Sequence, residues 1–243
     1  MKVLVVGDIH GNFEEVFKQL DKEDKDFDKI VFLGDYVDSF EKKHQGAPMI
    51  DGFKKLCSMK DDKHIILFGN HDLSYLGDPN VSGHNWTYAS AYREMFLENL
   101  DKVDIACQLG DYVFSHAGIT KTWLEFWGFI GEKTYHMASV AKMEIEDFEK
   151  LSIIDRINLI FHAKEFDFFD YNLLDRSGYG NNKVQGPVWV RPDVLWLDMY
   201  FEKQFVGHTE MKPSDCPVSI TKGKKELIIL DSPTHCNFYS LEI

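Results

Sequence analysis

The stretch KIVFLGDYVDSF, residues 29–40, joins an apolar run to a glycine-opened turn that carries two aspartates, Asp35 and Asp38. Ile30 to Leu33, flanked by Lys29 and Gly34, have the length and composition of a strand buried on both faces. The same arrangement recurs along the chain. VLVVG (3–7) leads into GDIHG, IILFG (65–69) into GNHD, YVFSH (112–116) into SHAG, and QFVGH (204–208) into VGHT. Between the first runs, Phe13, Val16, Phe17 and Leu20, and then Ile50, Phe53, Leu56 and Cys57, recur at helical spacing. Strands alternating with helices predict βαβ units and a layered α/β fold.

The pattern changes further on. Phe96, Leu97 and Leu100 mark a helix over about 86–100. Residues 121–185 hold WLEFWGF, a mostly helical run with Leu151, Ile154, Ile157 and Ile160, and the aromatic FDFFDY. This segment reads as a helical insertion or cap beside the sheet. ELIIL and NFYSLEI return to strand character. With no internal repeat or long linker, residues 1–243 are expected to form a single domain.

Forty acidic against twenty-seven basic residues give a net charge of −13. That balance argues against long nucleic acid or an acidic membrane as partner. It also disfavours an anionic substrate unless a metal reverses the sign locally. MKVLVVGD is too short and too acidic at its end for a secretory leader, and no stretch reaches the roughly 18 uncharged residues of a membrane helix. A soluble, cytoplasmic protein is expected, with reduced thiols at Cys57, Cys107, Cys216 and Cys236. Cys216, His235 and Cys236 lack the paired spacing of a zinc site.

The polar residues that close the strands are Asp8 and His10, Asp35 and Asp38, Asn70, His71 and Asp72, His116, and His208. In open α/β sheets, ligands bind at the carboxyl ends of the strands. Carboxylate, imidazole and amide oxygen together suit divalent Mn, Fe or Zn without a thiolate. A carboxylate can bridge two such ions about 3.5–4 Å apart and so clamp a displacement at phosphorus. One such turn alone means little, because Asp and Gly are ordinary turn formers. His44, His64, His84, His136, His162 and His235 are read as structural. Five clusters on five apolar runs are a different matter.

GDIHG, GDYVD, GNHD, SHAG and VGHT, spanning residues 7–209, together resemble the calcineurin-like metallophosphoesterase superfamily. The branch is that of serine/threonine protein phosphatases and diadenosine-tetraphosphatase-like enzymes. The resemblance implies a four-layer α/β/β/α sandwich of two mixed sheets with a helical insertion near 121–185. It implies two divalent ions, manganese first, with iron, zinc, nickel or magnesium as alternatives. Asp8, His10 and Asp35 would hold the first ion. Asp35 would bridge to a second, completed by Asn70, His116 and His208. His71 would be the general acid, oriented by Asp38. Phosphate monoesters would be hydrolysed by metal-activated hydroxide, without a covalent enzyme intermediate.

Two details depart from or refine this pattern. The branch usually continues its second motif as VDRG, whose arginine grips phosphate. Here Val37-Asp38-Ser39-Phe40 stands instead. Arg191, in GPVWVRP, matches the family's other phosphate-binding arginine by order. Lys42, Lys43 and His44 could replace the lost one, or be simply solvated. The last motif is GHT rather than GHxH, as in the protein-phosphatase branch. A phosphoprotein is therefore the first expected substrate, ahead of a dinucleoside polyphosphate and a cyclic nucleotide. A non-catalytic scaffold is the reading from another class, and the full set of ligand-type residues opposes it. Trp123, Phe126, Trp127, Phe129, Phe166, Phe168 and Phe169 are expected in the core of the cap, the alternative being a groove that stacks a base or peptide.

Overall fold

The computed structural model describes residues 1–23, 26–39, 41–77, 81–169, 180–212, 214–231 and 238–243. Lys2–Val6 (β1), Lys29–Phe32 (β2) and His64–Ile66 (β3) run parallel, with Leu4 opposite Ile30 and Ile30 opposite His64. Two helices make the crossovers, Phe13–Glu23 (α1) and Ala47–Ser58 (α2). α1 is amphipathic. Phe13, Val16 and Leu20 are buried while Glu14 and Glu15, in its first turn, face water and favour the helix dipole. A single helical turn, Asn70–Leu73 (α3), follows β3, and Ala89–Glu98 (α4) comes later.

The second sheet begins with the antiparallel pair Ala106–Leu109 (β4) and Tyr112–Ser115 (β5). Lys203–Val206 (β6), Val218–Lys222 (β7) and Lys225–Ile229 (β8) complete it in the order β4-β5-β6-β8-β7. β5, β6 and β8 are mutually parallel, and the edge strands are antiparallel. Phe238–Glu242 (β9) returns to the first sheet, antiparallel to β1. Both sheets are thus mixed.

Period-two alternation sorts the strands' side chains into layers. Val3, Val5, Val31 and Leu33 meet Phe114, Phe205, Ile228 and Leu230 between the sheets. Leu4, Val6, Ile30 and Phe32 face α1, α2 and α4 on the outside of the first sheet. Val206, Leu227 and Ile229 face Leu195 of the helix Pro192–Asp198 on the outside of the second. The result is the four-layer α/β/β/α order, and it explains why the strands read as continuous apolar runs.

The segment from 121 is helical, as expected, but in pieces: Lys121–Trp127 (α5), Thr134–Val140 (α6), Ile145–Lys150 (α7) and Ile153–His162 (α8), ahead of Pro192–Asp198 (α9). The run containing Leu151 and Ile154 breaks because Ser152 caps α8 through the Asp155 N–H. These helices join the first sheet's core, where Phe161 lies edge-on to Phe68 at 5.4 Å. Arg156, buried, donates to the carbonyls of Phe129, Phe148 and Glu149 and ties the pieces together. Trp123, Phe129 and Phe169 are core residues, while Phe126 is exposed. The strands β4 and β7 had no counterpart in the sequence pattern. Phe40, residues 170–179 of the insertion, His235 and Cys236 lie outside the described residues. Among the described residues, no helix is long and apolar enough to cross a membrane.

Candidate active site

Every sequence-predicted site residue except Arg191 lies in a loop or turn following β1, β2, β3, β5 or β6, at the carboxyl end of that strand. Backbone hydrogen bonds lace the first two loops: the Asp35 carbonyl accepts from Ile9 and His10, and the Tyr36 carbonyl accepts from Gly11. The backbone here is strained. His10, Asp35, Asp38 and His208 all have positive φ, from 42° to 64°, a region L-residues seldom occupy.

Asp72 braces the turn. Its carboxylate, fully buried, accepts from the backbone N–H groups of Asp35 (2.8 Å), Tyr36 (2.8 Å) and Gly69 (3.0 Å). Asp35 Oδ1 in turn accepts from the His71 N–H at 3.0 Å. The space is tight. A Cβ on Gly69 would stand 2.1 Å from Asp35 Oδ1, and one on Gly207 would stand 2.4 Å from Asp8 Oδ1. Both glycines permit close approach of backbone to carboxylate.

Three histidines share one arrangement. His10 Nδ1 lies 2.9 Å from the Val37 carbonyl, His116 Nδ1 2.9 Å from the Leu33 carbonyl, and His208 Nε2 3.0 Å from the Trp189 carbonyl. A carbonyl only accepts, so each of these nitrogens carries the hydrogen. In the neutral imidazole the opposite nitrogen is then a bare lone pair. His116 Nε2 and His208 Nδ1 each lie 2.9 Å from Asn70 Oδ1, and His116 Nε2 also lies 3.4 Å from Asp35 Oδ2. His10 Nε2 faces Asp35 Oδ2 at 3.8 Å. Acceptors that converge on acceptors need positive charge between them. The donor set His10, Asp8, Asp35, Asn70, His116 and His208 therefore fits divalent ions, with each imidazole held by a carbonyl as metal-binding histidines are. Asp35 belongs to two clusters close enough to share an ion, one with His10 and His71, the other with Asp8 and His116.

Electrostatics tell the same story. Burial opposes the charged form of His116, but Asp35 and Asp8 outweigh it and push the imidazole up to about 9. Burial likewise opposes ionisation of Asp35, yet His116 and His71 hold it well below the usual carboxylate range. Asp8 is raised by burial and then by Asp231. His10 is lowered by burial against the pull of Asp35, and His208 by burial and then by His116 and Arg191.

His71 belongs to a second group. Its Nδ1 lies 2.9 Å from Asp38 Oδ2, and Asp38 Oδ1 accepts from the Tyr75 hydroxyl. Burial lowers the His71 imidazole, but Asp35 and Asp38 together raise it above its ordinary value. Asp8, His10, Asp35, Asn70, His71 and His208 line a cavity of about 300 Å³. Arg191 lines it from the first position before α9, with Nη1 donating to the His208 carbonyl (3.1 Å) and to Thr209 Oγ1 (3.2 Å). Lys42 and Lys43 are exposed, Lys43 pairing with Glu41 at 2.9 Å, and neither lines the cavity.

Two residues went unnoticed in the sequence, Asp231 and Tyr75. Asp231, which lines the cavity, follows β8, an apolar run closed by an aspartate like the others, so the same rule would have found it. Tyr75 carries no sequence signal at all.

A family model described as calcineurin-like phosphoesterase matches residues 1–184. The match takes in Asp8 through His116 and ends before Arg191 and His208. No curated protein matches the sequence. Among solved structures, the cold-active protein tyrosine phosphatase of a psychrophilic Shewanella species aligns with a TM-score of 0.56 at 17% identity, over 95% of this chain and 71% of that one. A point mutant of a cold-active protein tyrosine phosphatase gives 0.58 at 18%, with the same coverages. At these identities the likeness is one of fold.

Proposed function

The chain belongs to the calcineurin-like phosphoesterase family, whose chemistry is the hydrolysis of phosphoric esters; from that premise we propose a phosphomonoesterase that works with two divalent ions, manganese first, on phosphorylated protein side chains. The observation that carries the proposal is the set of three imidazoles. Each has one nitrogen pinned to a carbonyl and the other aimed into the oxygens of Asp35 and Asn70. Asp8, His10 and Asp35 hold one ion in this reading, and Asp35, Asn70, His116 and His208 hold the other. Bound there, the ions supply Lewis acidity toward the phosphoryl oxygens and bring the pKa of water toward neutrality.

The chain's own residues do the rest. With Nδ1–H donated to Asp38, His71 keeps Nε2 for the cavity it lines, and as imidazolium it can protonate the departing oxygen. Arg191 offers its guanidinium to the phosphate. The cavity, about 300 Å³, sits at the small end of the roughly 300–1,000 Å³ seen for ligand pockets. It suits a phosphorylated side chain better than a dinucleoside polyphosphate. Phosphoserine and phosphothreonine come first, and the protein tyrosine phosphatases among the neighbours add phosphotyrosine as an arm of the test.

The test is hydrolysis by metal-stripped protein with Mn, Fe(II), Zn, Ni or Mg restored. Substrates are p-nitrophenyl phosphate, the three kinds of phosphopeptide and diadenosine tetraphosphate. Turnover should return with metal and disappear in Asp35→Asn together with bound metal. Full turnover in Asp35→Asn would sink the bridging role. Bound ions with no turnover on any substrate would favour the scaffold.

A further inference from the structure

We propose that Tyr75 is a positioning residue for the proton-donating pair His71–Asp38, an inference that rests on the reading of His71 as general acid. Both oxygens of Asp38 are used: Oδ2 by His71 Nδ1 and Oδ1 by the Tyr75 hydroxyl. The Asp38 side chain is fully buried and sits on a backbone of φ 63°. A buried carboxylate on a strained backbone keeps one orientation only when its surroundings fix it. His71 grips one oxygen, and a single grip leaves the carboxylate free to pivot. Tyr75 supplies the second.

Tyr75 is itself held on every side. Its ring stacks on His84 at 4.2 Å and meets Tyr92 edge-on at 5.2 Å. Its oxygen accepts from the Asn85 N–H at 2.7 Å while its hydrogen goes to Asp38. Burial, and then the Asp38 hydrogen bond, raise the phenol, so it stays a neutral donor. A parallel link runs from Ser74, whose hydroxyl donates to the His71 carbonyl (2.7 Å) and meets His84 Nδ1 at 3.1 Å. Residues 84 and 85 thus hold the pair from behind, and Val81 and Ser82 of the same segment border the cavity. In the step itself a water-derived oxygen bonds to phosphorus, the bond from phosphorus to the leaving oxygen breaks, and the proton on His71 Nε2 passes to that leaving oxygen. The Nδ1 proton stays on His71, and Tyr75 and Asp38 keep their protonation states.

A positioning role predicts a loss that depends on the leaving group. The p-nitrophenolate anion departs without a proton, whereas the alkoxide of a phosphoserine peptide requires one. Manganese-loaded Tyr75→Phe, His71→Asn and Tyr92→Phe should be compared on both substrates. Tyr92→Phe is the structural control: it removes a buried hydroxyl that accepts from the Gly46 N–H and touches neither Asp38 nor His71. His71→Asn should lose about 10²–10³-fold in kcat on the phosphoserine peptide and far less on p-nitrophenyl phosphate. Tyr75→Phe should lose about tenfold in kcat on the peptide and about twofold or less on the aryl ester. Its KM and bound manganese should be unchanged. Tyr92→Phe should alter kcat on neither substrate, though like Tyr75→Phe it loses a buried hydrogen bond and its thermal midpoint falls. If His71→Asn shows the selective loss and Tyr75→Phe lowers both substrates equally, or neither, Tyr75 has no positioning role. If His71→Asn shows no selective loss, the general-acid reading fails first and takes this inference with it.

Discussion

Alanine at position 69 measures how closely the turn after β3 is fitted to Asp35. Gly69 has φ −102°, an ordinary value, so alanine's backbone is at ease there and the effect is steric alone. The new Cβ would lie 2.1 Å from Asp35 Oδ1, 2.6 Å from the Asp35 nitrogen and 2.8 Å from its Cγ. Ordinary contact begins at 3.4 Å, so the carboxylate or the turn must retreat by more than an ångström. The retreat strains the His71 N–H bond to Asp35 and the Asp72 brace together. Overpacking of this kind costs about 1–3 kcal/mol. The gain of about 0.4–1 kcal/mol from a stiffer unfolded chain only partly offsets it. Misplacement by about 1 Å costs on the order of 10²-fold in rate. Gly69→Ala should therefore lower kcat/KM on p-nitrophenyl phosphate about 10²-fold and weaken manganese binding in a calorimetric titration. Its thermal midpoint should fall by up to about 10 °C at roughly 2–4 °C per kcal/mol of that net cost. Wild-type kcat/KM with wild-type metal affinity would refute the reasoning.

Other outcomes follow from the same geometry. Asp72→Asn replaces one acceptor with a donor that faces backbone N–H groups, and should cost about 2–4 kcal/mol, read as a drop in thermal midpoint; an unchanged midpoint would refute the brace. As the proposed general acid, His71 would have to be protonated to act; its pKa is raised above the ordinary value, so kcat on a phosphoserine peptide should fall as pH rises through that raised value. Asp38→Asn removes a carboxylate that raises it and should move this alkaline limb to lower pH; a limb that stays put would count against the pairing. Arg191→Ala should raise KM about tenfold or more, and Arg191→Lys should not restore it, because an ammonium cannot reproduce the planar fork.

The part of the fold made by doubly buried strands was legible. Ile30–Phe32 and Ile65–Ile66 cannot be mistaken for a solvated segment, and the glycine–aspartate closures marked where the strands end. β4 and β7 escaped because edge strands keep one side wet. Val218, Ser219, Ile220, Thr221 and Lys222 are half-buried or exposed, so no apolar run forms. The mostly helical character around Leu151 was legible, and the break within it is spelled by Ser152 and Asp155, three apart, which mark a helix start. Asp8, His10, Asp35, Asn70, His71 and His208 were readable because each follows a strand, whereas Arg191, ahead of α9, was matched by order alone and Asp231 was passed over. Tyr75 was not readable, because its partner Asp38 lies 37 positions earlier and only the tertiary fold joins them.

The left-handed backbone at four of the site's positions limits which replacements the lineage of this chain could have explored. His10, Asp35, Asp38 and His208 must satisfy a conformational demand as well as a chemical one. Aspartate, asparagine and histidine are the side chains most enriched there after glycine, and all four occupants come from that short alphabet. Glutamate would keep the charge at 35 but overshoot by one methylene and lose the backbone preference. Asp8, Asn70 and His116 are outside the positive-φ set, so their vocabulary is wider. Drift, or a designer retuning metal preference, has the greater freedom at 8, 70 and 116.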